Sequence, residues 1–211
     1  GKALLWFITA SLVSLLLGML FANLLQPGQG LGLPLPDKDA ATNLKTAVTD
    51  SVELMLKLEL LQVTGSFKAR GALHKVLSLT PEARSGGVVA ASSGNHGAGV
   101  AWACALAGLS AVIYVPEHAS PAKVAMIKSH GAEVRHFGVD GLDTEEHARA
   151  NAVREGRSYI SPYNDWEVMY GQGTVAVEMV EQLQGEALDA VIVAVGGGGL
   201  IGGIAGYLKA V

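Results

Sequence analysis

Lys68 stands in the run Thr64-Gly65-Ser66-Phe67-Lys68-Ala69-Arg70-Gly71-Ala72, a setting that can turn an amine into a nucleophile. Gly65 permits a turn, Ser66 can cap the helix that follows, and Ala72, Val76 and Leu79 fall on one face of that helix. Lys68 is then expected in the first helical turn, where the positive end of the helix dipole disfavours an ammonium and favours the neutral amine. Such an amine can attack a carbonyl and form a Schiff base. Position alone also allows a solvated surface lysine, the commoner fate of that residue type.

Two small-residue loops follow. Ala91-Ser92-Ser93-Gly94-Asn95-His96-Gly97 succeeds an apolar run and opens a helix through Ala101, Ala105 and Leu106, so helix-start N–H groups can face an anion such as a carboxylate. A tight strand-to-helix turn capped by Ser and Asn reads equally well from these residues. Gly196-Gly197-Gly198-Gly199 succeeds the apolar run Asp189 to Val195. Four glycines cost much chain entropy, and a nest of backbone N–H groups could hold a phosphate dianion there without a basic side chain. Gly197, Gly199 and Gly202 also satisfy the spacing GxGxxG of dinucleotide sites, a weak signal alone.

The elements that must carry these loops alternate in type. Strands are expected at Val52 to Leu58, Gly87 to Ala91, Ala111 to Val115, Glu133 to Phe137 and Asp189 to Val195, several apolar throughout as strands covered on both faces are. Helices are expected from Ser120-Pro121, and from Asp143 with Glu146 as its capping-box partner. The pattern predicts an α/β fold with a mostly parallel twisted sheet, helices on both faces, and ligands at the carboxyl ends of strands. Residues 51–211 form this region.

The 211-residue chain has room for one good-sized α/β domain or two small ones. A net charge of −4 from 15 basic and 19 acidic residues, with no long run of either sign, argues against a nucleic-acid surface. Cys104 is the single cysteine, so no internal disulfide forms, no Cys/His metal cluster is apparent, and a cytoplasmic location is the default expectation. Residues 3–25 carry no charge, a length that spans a bilayer, so residues 1–26 are expected to be an apolar, membrane-contacting helix. A signal peptide and a buried soluble helix are the competing readings. Residues 27–50, which open on Pro27-Gly28-Gln29-Gly30 and contain Leu33-Pro34-Leu35-Pro36, read as a linker. The strings GKALLWFITASLVSLLLG, NLLQPG and LPLPD resemble a membrane helix and loop of the dicarboxylate and amino acid:cation symporter family, over about residues 1–47. One such helix cannot form a transport path.

Leu56-Lys57-Leu58-Glu59, Gln62 and Thr64 to Ala72 resemble the lysine signature of fold-type II pyridoxal phosphate (PLP) enzymes, the family of threonine dehydratase and serine racemase. The loop SSGNHG and the tetraglycine follow in that family's order. Ser161-Pro162-Tyr163-Asn164-Asp165 and Gly171-Gln172-Gly173-Thr174 resemble its pocket-lining segments, each otherwise readable as a loop and a helix start. The resemblance implies that Lys68 carries PLP and Phe67 packs near the ring. It implies that Asn95 bonds the ring hydroxyl, Asn164 touches the ring, and Gly196, Gly197, Gly198 and Gly199 hold the phosphate. Ser92, Ser93, Gly94, Asn95 and His96 would grip the substrate carboxylate, with Ser93 facing the α-carbon.

What the resemblance implies in function is a lyase releasing ammonia and a 2-oxo acid from L-threonine, L-serine or a similar small amino acid, with no metal among these residues and a homodimer in the intact family. Lys68 would be the general base. A racemase in which Ser93 returns the proton is the first alternative. Two further readings are an inactive membrane-tethered fragment, since the family pattern is incomplete at both ends, and a Rossmann dehydrogenase.

Overall fold

The structure is a computed structural model and describes residues 3–8 and 52–211. These fall into two compact units. One comprises the described residues up to 59 together with 179–194, the other residues 60–178 and 195–211.

In the first unit, β1 (Ala3–Ile8), β2 (Val52–Leu56) and β7 (Ala190–Val193) form a parallel sheet in the order β2-β1-β7. β1 is central, with Leu5 opposite both Leu54 and Ala190. This corrects the helix expected from residue 3. A continuous apolar run has no period that separates a helix from a strand, and Trp6, Phe7 and Ile8 are types that favour strands. A neighbour on each side supplies the backbone partners that a helix would have supplied internally. The rest of the expected apolar helix, the whole of the 27–50 linker and most of the transporter-like stretch lie outside the described residues. Among the described residues no helix is long and apolar enough to cross a membrane.

The second unit is built on β3 (Val88–Ala91), β4 (Ala111–Val115), β5 (Glu133–His136) and β6 (Ser158–Tyr159), a parallel sheet ordered β5-β4-β3-β6. Its helices are α1 (Lys68–Ser78), α2 (Pro81–Ser85), α3 (Asn95–Leu106), α4 (Pro121–Ser129), α5 (Gly141–Arg154) and α7 (Gly199–Leu208). α6 (Trp166–Leu183) begins in this unit and runs on into the first. Alternate strand residues point to opposite faces. Val88, Ala90, Ile113 and Val115 therefore join a core with Ala98, Ala101 and other α3 residues, whereas Val89, Val112 and Tyr114 pack on Ala148 and Ala152 of α5. Helices cover both faces, as the unbroken apolar runs require.

Two details differ from expectation. α5 starts at Gly141, because Asp140 is extended and its Oδ1 accepts from the N–H groups of Leu142 and Asp143, both at 2.9 Å. An Asp in that conformation satisfies the helix-start donors two residues before the expected start, so the Asp143–Glu146 capping box does not form. The two-residue β6 pairs with β3 at Val88–Ser158 and Val89–Tyr159, and is too short to show a period in sequence.

Candidate active site

Gly65 turns the chain ahead of α1 with φ +70°, and its N–H donates to the Gln62 carbonyl at 2.7 Å. Phe67, not the expected Ser66, stands at the N-cap of α1 and makes no side-chain cap bond, while the buried Ser66 hydroxyl one residue earlier accepts from the Lys68 N–H at 3.3 Å. α3 crosses directly against this point. A Cβ on Gly99 would lie 3.1 Å from the carbonyl carbon and oxygen of Lys68, so the bare glycine lets the two helices meet there.

Lys68 does not point into bulk solvent. Its Nζ donates to the carbonyl oxygen of Pro162 at 2.6 Å and lies 5.3 Å from the centre of the Phe67 ring. Burial pushes its pKa down from 10.5 to about 8. The direction is the expected one, and desolvation of the ammonium is its cause.

The serine loop lies at the carboxyl end of β3, and Ser161 to Asn164 follow the adjacent β6. Ser93, Gly94 and Asn95 line a pocket of about 190 Å³ with Lys123 and Met126 from α4. Ser92 turns its hydroxyl to its own loop, accepting from the Gly94 N–H at 3.1 Å. His96 turns inward: its ring is buried and Nε2 donates to the Ile160 carbonyl at 3.1 Å, tying the start of α3 to the end of β6. Burial first, and the Lys68 charge second, lower the His96 pKa to about 4, so the ring stays neutral.

Asn164 is exposed, and its backbone N–H donates to the Ser161 hydroxyl at 3.1 Å. The residues of that segment that touch other parts of the site are its neighbours. Pro162 receives the Lys68 amine, and the Tyr163 ring lies where a Cβ on Gly197 would be, 2.3 Å from Cγ and 2.4 Å from Cδ1. Consecutive residues lie about 3.8 Å apart at Cα. Lys68 and the tetraglycine loop thus rest on adjoining residues. Asp165 fixes this segment from below: its Oδ1 accepts from the N–H groups of Glu167 and Val168 at the start of α6, while Oδ2 meets Lys75 Nζ at 3.0 Å.

Pro162 and Tyr163 carry no signal of their own in the sequence, although their segment does. A carbonyl acceptor has no side-chain signature, and a tyrosine between Pro and Asn reads as an ordinary loop residue. Gly171-Gln172-Gly173-Thr174 is neither loop nor helix start: it lies inside α6, where the buried Gln172 Oε1 accepts from the Gly71 N–H at 3.3 Å.

The tetraglycine follows β7 and leads into α7. Gly198 has φ +84°, and nothing lies within 4 Å of a Cβ placed on Gly196 or Gly198. That open backbone suits a dianion. The second pocket, about 410 Å³, is apolar, lies between α6 and α7 against Trp166, Met169, Tyr170 and Tyr207, and holds none of the residues expected to do chemistry. No cluster of metal-ligating side chains exists among the described residues.

A desolvated lysine, a small-residue loop at a strand end and an open glycine loop are set on one α/β fold. The chain belongs to the pyridoxal-phosphate dependent enzyme family, whose sequence model matches residues 41–211. It is 44% identical over 159 residues to the catabolic L-threonine dehydratase TdcB of Escherichia coli (strain K12), an alignment covering 75% of this chain and 48% of that one. The fold matches the processed form of threonine deaminase isoform 2 from Solanum lycopersicum with TM-score 0.70 and 36% identity, covering 73% of this chain and 44% of that one. It matches maize serine racemase with TM-score 0.69 and 38% identity, covering 73% and 46%. The chain therefore spans about half the length of these relatives. The family match begins at residue 41, so residues 41–47 belong to it and not to a transporter-like loop.

Proposed function

We propose that this chain carries the cofactor-binding part of a PLP-dependent ammonia-lyase acting on L-threonine, L-serine or a similar small hydroxy amino acid. One observation carries the reading. The Lys68 amine, lowered to about 8 by burial, is held by the residue adjoining the one that lies against the glycine loop. The residues fit PLP, with an amine for its aldehyde and an open backbone cradle at Gly196 and Gly198 for its phosphate.

When bound, PLP supplies an electron sink that weakens the bonds at the substrate α-carbon. Lys68 would hold the cofactor, and its free amine would take the α-proton at Nζ, with the Pro162 carbonyl as the acceptor that orients it. The N–H groups at the start of α3 and the hydroxyls of Ser92 and Ser93 receive the substrate carboxylate. Asn95 and Asn164 are assigned to the ring, with Phe67 packing beside it. His96 contributes through its backbone, its ring being committed to Ile160. Loss of the β-hydroxyl as water would leave an enamine, which tautomerises to an imine and takes up one water to give the 2-oxo acid and ammonia.

Ser93 in the small pocket, together with the likeness to maize serine racemase, favours one second reading: proton return by Ser93 and inversion at the α-carbon. The deciding assay follows 2-oxo acid release from L-threonine and L-serine with added PLP, alongside chiral analysis of residual serine. Activity lost in Lys68→Ala is expected. Wild-type protein that gives neither 2-oxo acid nor D-serine overturns both readings.

A further inference from the structure

The four glycines of the loop do not share one environment. Gly196 and Gly198 have nothing within 4 Å where a Cβ would be, and Gly198 sits at φ +84°. Gly197 and Gly199 meet Tyr163: a Cβ on Gly197 would lie 2.3 Å from its Cγ and 2.9 Å from its Cβ, and one on Gly199 would lie 3.0 Å from its Cα. Real Cβ atoms do not approach carbon as closely as the Gly197 contacts would demand, so Tyr163 requires glycine at 197 whatever the loop binds, and at 199 a side chain would make the tyrosine give by a few tenths of an ångström. Tyr163 is itself held firmly. The carbonyl before it accepts from Lys68, the N–H after it donates to Ser161, and Asp165 beyond anchors to α6 and Lys75.

We propose that Tyr163 is the positioning residue of the glycine loop: its ring is the wall on which Gly197 rests and its Cα and Cβ lie against Gly199, leaving the side with Gly196 and Gly198 to receive the phosphate. The assignment rests on the cofactor reading above and adds a residue to it. The ring and not the hydroxyl is what matters, because every close approach to Gly197 is to ring carbon or Cβ. Two glycines of the motif therefore answer to Tyr163 and two to the ligand.

A double-mutant cycle tests this on the full chain with wild type, Tyr163→Phe, Tyr163→Gly, Gly197→Ala and the double variant. Two quantities are read: the dissociation constant for PLP from the absorbance of protein-bound cofactor, and Tm without cofactor. Gly197→Ala is expected to weaken PLP binding about ten-fold with Tyr163 present, and less than about three-fold in the Tyr163→Gly background, with Tm losses in the same order. Tyr163→Phe keeps the ring and binds PLP as wild type does. Equal losses from Gly197→Ala in both backgrounds, or a Tyr163→Phe as weak as Tyr163→Gly, overturn the proposal alone. A wild-type chain with no bound-cofactor absorbance overturns the cofactor reading and the proposal together.

Discussion

The Lys68 amine donates to the Pro162 carbonyl at 2.6 Å, and that contact joins the start of α1 to the end of β6 across 94 residues of sequence. It replaces the water that an exposed lysine would keep. A single carbonyl cannot replace a full hydration shell, so the ammonium is disfavoured and the pKa falls to about 8.

The pH dependence of stability follows with a definite sign. Unfolded, Lys68 holds its proton up to about 10.5; folded, it releases it near about 8. Between these values the unfolded chain binds more protons, so the Lys68 contribution to stability rises with pH and levels off above 10.5. Lys68→Met, apolar and similar in length, is expected to raise Tm below pH 8, with the gain shrinking towards pH 10.5. Thermal melts of both proteins across that range check it; a gain independent of pH would show that charge burial is not the cause.

His96 gives the acid limb of the pH profile. Its folded pKa of about 4 lies below the ordinary 6.5, so the unfolded chain binds the extra proton in between, and stability falls as pH drops from 6.5 towards 4. The substitution His96→Gln places an amide nitrogen near the position of Nε2, where it can still donate to Ile160 without titrating. Chemical denaturation at pH 7 and pH 4.5 should therefore show a smaller acid loss in His96→Gln than in wild type. An equal loss would move the acid sensitivity elsewhere.

What is legible in the sequence depends on whether the cause is local. β4 shows its bounds, Ala111–Val115, because an apolar run between turn residues is a local signal, and the lysine and glycine loops stand in strings that few other contexts use. β1 misleads because Ala3 to Ile8 owes its form to β2 and β7, its partners from far along the chain. The Asp140 cap lies three residues before a plausible rival at Asp143. The Pro162 carbonyl and the Tyr163 wall are invisible because they matter through what they touch. Even the tetraglycine, plainly unusual as a string, points in sequence to a bound ligand, whereas Gly197 and Gly199 lie against a neighbouring tyrosine.

The ion pair behind α1 is unequal, and its two halves should not cost the same to remove. Arg70 donates to Glu178 through Nη1 at 2.6 Å and Nη2 at 2.8 Å and to Thr174 Oγ1 at 3.1 Å, and its side chain is 9% exposed against 40% for Glu178. Glu178→Ala takes the carboxylate from the more buried partner and is expected to cost about 2 kcal/mol. Arg70→Met leaves a carboxylate that water reaches, and about 1 kcal/mol is expected. Urea unfolding of the two variants at pH 7 measures the difference; the reverse order would mean that packing of the Arg70 stem outweighs its charge.

Two glycines in helices make the last prediction, because they look alike in sequence and differ in surroundings. A Cβ on Gly171 of α6 would lie 2.6 Å from the Gly71 Cα, 2.7 Å from the Arg70 carbonyl oxygen and 2.7 Å from the His74 Cβ. Two of these are backbone atoms of α1, which cannot rotate aside, so Gly171→Ala must push the helices apart at an expected cost of about 2 to 3 kcal/mol. The push falls one turn from Lys68, at the end of α1 that carries it, so PLP binding should weaken along with stability. Gly206 in α7 has nothing within 4 Å of its Cβ position. Alanine there lowers the entropy of the unfolded chain without a clash, so Gly206→Ala should stabilise by about 0.5 to 1 kcal/mol and leave PLP affinity unchanged. Urea titrations read both stabilities and cofactor absorbance reads both affinities, and a stable, tightly binding Gly171→Ala would show that α1 and α6 do not meet as closely as the structure places them.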